Sequence, residues 1–95
     1  MIDSVRPRFR MGKVVATPGA LKAMERTGTA LHELIGRHGK GDWGDICEED
    51  AEANEVALKD GARVFSVYQL KDATKVYVIT EADRSSTCIL LPEEY

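Results

Sequence analysis

The rhythm of apolar positions divides this chain into a helical part flanked by strands. "FRMGKVVA" (9–16) carries the β-branched pair Val14 and Val15 and reads as a strand, with Gly12 marking a bulge. The spacing then turns helical. In "TPGALKAMERTG" (17–28) Leu21 and Met24 share a face, Thr17 is placed to cap, Pro18 takes the first helical position and Gly28 stops the turn. "TALHELIGRHG" (29–39) repeats the scheme: Thr29 caps, Leu31, Leu34, Ile35 and His38 form one stripe, and Gly39 ends it. "DICEEDAEANEVALKDG" (45–61) predicts a third helix, opened by an Asp45-x-x-Glu48 capping pair and closed by Gly61. Ile46, Ala53, Ala57 and Leu58 are its core positions, and Asp50 and Asn54 lie at the edge of that face.

Three strand-like runs follow: "RVFSVYQL" (63–70), "KVYVITE" (75–81) and "TCILL" (87–91). The links "KDAT" and "ADRSS" are short and rich in turn formers, so the runs predict an antiparallel meander. Pro92 stops further pairing. The expected fold is α+β in the order β-α-α-α-β-β-β, a small antiparallel sheet with three helices on one face. Residues 1–8 supply no packing pattern and read as a loose tail; 9–95 read as one domain. A chain of this length buries only about two thirds of its unfolded surface, enough for one core.

Charge adds an asymmetry to this plan. The net charge of −3 combines residues 1–40, with eight bases against three acids, and residues 41–95, with five bases against thirteen acids. The acidic balance argues against general nucleic-acid binding, although Arg6-Pro7-Arg8-Phe9-Arg10 offers phosphate contacts. No apolar run approaches a membrane span, and no leader pattern opens the sequence, so the expected location is the cytoplasm. Cys47 and Cys88 lack metal-ligand spacing and are too few for a disulfide framework.

The densest stretch is "HGKGDWGDICEEDAEANE" (38–55). His38, Asp42 and Asp45 are candidates for metal binding or acid–base work. The structural reading explains more: the glycines let the backbone turn, Trp43 anchors the bend beneath the helices, Asp45 caps the third helix, and His38 bonds to the loop. His38, Asp42, Asp50 and Asn54 are also expected to converge where the loop meets that helix, as a fold-fixing network or a pocket. Arg84, on a tight turn, is a candidate surface contact. The stretch lacks the elements of a phosphate loop, and the serines of "ADRSS" lack a visible base. No catalytic residue, metal ligand or cofactor is assigned.

Four blocks, "VATPGAL" (15–21), "HGKGDWGD" (38–45), "NEVALKDG" (54–61) and "ITEADRSSTCILLPEEY" (79–95), carry a resemblance. Together they resemble a family of small bacterial proteins borne on plasmids and genomic islands, some labelled type I restriction endonuclease subunit M. A methylation subunit needs a cofactor domain and an Asn/Asp-Pro-Pro-Tyr/Phe motif, and this sequence has neither. The resemblance implies a domain of mobile-element or defence biology. The expected role is an accessory protein that binds a protein partner, with a hairpin edge offering a route to a homodimer. Two alternatives stand beside it. One is an anti-restriction nucleic-acid mimic using the acids of helix 45–60. The other is a small metal-dependent hydrolase using His38, Asp42 and Asp50.

Overall fold

The computed structural model describes residues 7–95. The elements run β1 (Lys13–Ala16), α1 (Pro18–Thr27), α2 (Leu31–Gly39), α3 (Glu48–Asp60), β2 (Val64–Gln69), β3 (Lys75–Thr80) and β4 (Ser86–Leu90), with a 3-10 turn at Pro92–Glu94. The fold is α+β in the expected order. β2, β3 and β4 form the antiparallel meander, with Ser66 opposite Val78 and Val78 opposite Ile89. β1 joins the far side of β4 and runs parallel to it, so the sheet is mixed, in the order β1-β4-β3-β2. Three helices separate β1 from every other strand, so no short link fixes its direction. The whole helical segment instead supplies the long crossover that a parallel pair requires.

Alternation sorts the sheet into two faces. Val64, Ser66, Tyr68, Val76, Val78, Thr80, Thr87 and Ile89 form one, and all are buried. Ala20, Ala23 and Met24 of α1 and Leu34 of α2 close over it. From the edge of β2, α3 brings Ala57 against Val64, in a second cluster with Trp43, Phe9, Ile46 and Leu58. The opposite face carries Phe65, Val67, Tyr77, Ile79, Cys88 and Leu90. Both buried helix–sheet clusters lie on the first face.

The punctuation of α1 is as expected: the Ala20 N–H donates to the Thr17 hydroxyl and Gly28 takes φ +68. The other two N-termini differ. α2 starts from Ala30, whose N–H donates to Glu33, while the Thr29 hydroxyl pairs with Thr27. α3 starts from Cys47 without a side-chain cap, so Asp45 is not its cap. The reason is competition: the Asp45 N–H donates to the Val67 carbonyl at 2.7 Å, drawing Gly44 and Asp45 into pairing with β2 before the helix begins. Three acids in the first turn of α3 favour its N-terminus without a cap.

Residues 1–6 of the expected tail lie outside the described residues. Arg8 is tied down, its N–H to the Gly39 carbonyl and its guanidinium to Glu55 through two bonds of 2.7 and 3.0 Å. Among the described residues no helix is long and apolar enough to cross a membrane.

Candidate functional site

His38 is fully buried, in the last turn of α2. Its stripe position aims the ring at the sheet, where two strand hydroxyls meet it and a third stands behind them. Nδ1 lies 2.6 Å from the Ser66 hydroxyl and Nε2 2.9 Å from that of Thr80. The Thr80 and Thr87 hydroxyls are 2.6 Å apart, and Thr87 donates to the Met11 carbonyl at 2.8 Å. Each hydroxyl has one proton, which fixes the donors from Thr87 back to the imidazole Nε2. Because Thr87 donates to Met11, Thr80 donates to Thr87. His38 Nε2–H therefore donates to Thr80, and in the neutral ring Nδ1 accepts from Ser66. The imidazole is neutral, in a single tautomer. Burial, reinforced by the charge of Arg84, lowers its pKa to about 4.

The pair Ser66–His38 has the spacing of a nucleophile and its base. Both side chains are fully buried, however, and the position behind the imidazole is held by a threonine hydroxyl where a triad places a carboxylate. As arranged, the unit bonds α2 to three strands and to the segment entering β1.

The expected convergence of His38, Asp42, Asp50 and Asn54 does not form, and His38 bonds to strand hydroxyls where the loop was expected. Asp42 turns to Arg37, with bonds of 2.7 and 3.3 Å, and accepts from the Gly44 N–H. That guanidinium holds the Asp42 carboxyl below the usual range. It also lies 4.4 Å above the Tyr68 ring, whose hydroxyl donates to the Asp42 carbonyl at 2.6 Å. Trp43 is 6% exposed, its indole edge-on to His38 at 5.9 Å. Phe9 packs against both rings, and the indole N–H reaches Glu55 at 3.3 Å.

Asn54 faces the sheet edge. Its amide donates to the Phe65 carbonyl at 2.7 Å and accepts from the Phe65 N–H at 3.0 Å, standing in for a neighbouring strand. One step along, the Val67 N–H donates to the Trp43 carbonyl. Gly44, at φ +77, passes so close that a Cβ there would run into the Val67 carbonyl. The bend and α3 thus close the outer edge of β2 at Phe65 and Val67. Asp50 is exposed beside Asn54. Arg84 is half-buried with φ +60, and its guanidinium donates to the carbonyls of Ala57, Ala62 and Glu81, clamping the β3–β4 turn to the C-terminus of α3.

Among the described residues no three His, Cys, Asp or Glu side chains gather into a metal-binding group. In α3, Glu48, Glu52 and Glu55 follow one line, Glu49 lies about 100° round the helix and Asp50 about 200°. Glu55 of that line is paired with Arg8.

Sequence reasoning missed the opposite face of the sheet. The rings of Phe65 and Tyr77 pack tilted with centroids 4.8 Å apart, and Tyr95, 65% exposed, lies 6.4 and 6.0 Å from them. Beside this trio a groove of about 420 Å³ runs between α3 and the sheet, with Ala53, Phe65 and Ile79 in its apolar lining and Asp50 and Arg63 among its charged members. The available signal was apolar residues at both phases of the alternation in "RVFSVYQL" and "KVYVITE", more than a sheet with one solvated face requires. Compared with family models, curated proteins and solved structures, the chain matches none.

Proposed function

We propose that this chain is a non-catalytic interaction module of mobile-element origin that binds a protein partner through the face of its sheet opposite the helices. One observation carries the reading: the trio Phe65, Tyr77 and Tyr95 lies on the face away from the helix clusters and borders an apolar groove through Phe65. Aromatic residues around a recess are the composition from which binding anchors are built. An apolar side chain of the partner enters the groove, and Asp50 and Arg63 supply polar contacts beside it.

The polar residues first suspected of chemistry support the same reading. His38 is closed within the core, Asp42 is held by Arg37, and Asn54 is bonded to β2. The mimic reading has less to recommend it, because the α3 acids spread around the helix and Glu55 is neutralised. Mobile-element origin rests on the four resembling blocks alone, and a cytoplasmic setting on the cysteine usage and composition.

The test is recovery of a partner from the native host, followed by affinity measurement with Tyr95→Asp. Tyr95 is 65% exposed, so the change is expected to leave the fold intact, as checked by circular dichroism. Binding weakened by about tenfold or more, the loss of one good anchor, supports the reading. Unchanged binding refutes the assigned face. Substrate turnover abolished by His38→Ala or Asp42→Ala refutes the non-catalytic assignment.

A further inference from the structure

The two edges of the sheet are treated differently. The outer edge of β2 is closed at Phe65 by Asn54 and at Val67 by the Trp43–Asp45 segment. At the other edge, Lys13 and Thr17 turn their N–H groups to β4, bonding the Ser85 and Ile89 carbonyls at 3.0 Å each. The alternation directs the N–H and C=O groups of Val14 and Ala16 outward, where no described residue pairs with them. Gly12, at φ +64, ends the strand on one side and Pro18 on the other, so these two residues are the whole of the open edge.

We propose that two copies of the chain join through β1, antiparallel about a two-fold axis, into one continuous sheet. The register follows from the donors. Centred on Val15, the pairing sets Val14 against Ala16 of the second copy twice over, and all four outward groups of each copy are satisfied. Centred on Ala16, it sets Val14 against Pro18, which has no N–H. Centred on Val14, it sets Ala16 against Gly12, outside strand geometry.

Side chains favour the same register. Val15 is 40% exposed, and at the axis it meets its own copy across the sheet. Lys13, exposed and without an ion pair among the described residues, comes opposite Thr17 of the second copy. The Thr17 hydroxyl holds the Glu94 carboxylate. Each Lys13 is thereby brought to a Glu94 of the other chain, twice by symmetry, and this charge complementarity selects a second copy over an arbitrary extended peptide. A different surface serves here from the aromatic face, so either assignment can fail alone.

A charge swap tests it on the full chain by light scattering coupled to size exclusion, with circular dichroism as the check on folding. Wild type at high concentration is expected at twice the 10.5 kDa chain mass. Lys13→Glu and Glu94→Lys are each expected as monomers, with like charges facing at both pairs. Mixed together they are expected to form a heterodimer, in which both pairs are opposite again. Should Glu94→Lys fail to fold, Val15→Lys replaces it and is expected to be monomeric. Wild type that stays monomeric at every concentration overturns the proposal. A dimer that persists in Lys13→Glu but is lost in Tyr77→Lys overturns it too, in favour of face-to-face packing.

Discussion

At the scale of single residues, the least legible feature was where His38 points. Its place on the apolar stripe of 29–39 was readable, and so was its burial. Its partners were not, because Ser66, Thr80 and Thr87 sit in three strands whose pairing had to be known before they could be seen to converge. Arg84 was misread for a related reason: a long cation on a turn suggests solvent, yet this one bonds three backbone carbonyls. Those bonds hold Arg84 at positive φ. Ala73, at φ +71 on the exposed β2–β3 turn, has no comparable support. An L-residue in the left-handed region costs about 1–2 kcal/mol, partly offset by the entropy that glycine loses on folding. Ala73→Gly is therefore expected to stabilise the chain by roughly 0.5–1 kcal/mol, read as a melting temperature higher by a few degrees. A lower melting temperature contradicts the assigned turn geometry.

At the scale of elements, periodicity and turn chemistry were enough for all three helices and the meander. The first turns of α2 and α3 were displaced for different reasons: Thr29 pairs locally with Thr27 and leaves the cap to Ala30 and Glu33, whereas Asp45 is drawn to a tertiary partner, Val67, where a cap was expected. The direction of β1 was not legible, since nothing local links it to β4. Asn54 was correctly placed at the edge of the α3 face, but its role required the unpaired backbone of Phe65. Removing its amide orphans one part-buried donor and one acceptor of Phe65, at about 1–3 kcal/mol each. Asn54→Ala is expected to destabilise the fold by roughly 2–4 kcal/mol in urea unfolding, with faster hydrogen exchange at the Phe65 amide. Unchanged exchange there contradicts the edge-closing role.

Across the whole molecule, the bend at 38–45 joins a helix, a sheet edge and the N-terminal segment around one neutral imidazole. The folded pKa of His38, about 4, lies below the ordinary value of 6.5. Between these values the unfolded chain binds the extra proton, so stability rises with pH through that window. It is complete above about pH 6.5 and falls by roughly 3 kcal/mol towards pH 4. Asp42 and Glu55, held low by Arg37 and Arg8, add their loss as pH falls below their ordinary values of 3.8 and 4.5, at the bottom of this window and beneath it. Unfolding at pH 4.5 and 7 measures the difference; His38→Gln, which has no proton to gain, is expected to lose it. The most direct measurement is nitrogen-15 NMR of the His38 ring from pH 7 down to 5. The account predicts a neutral ring protonated on Nε2, with a slowly exchanging ring proton and no titration in that range. A ring that titrates near 6.5, or whose signals shift on addition of zinc, contradicts it.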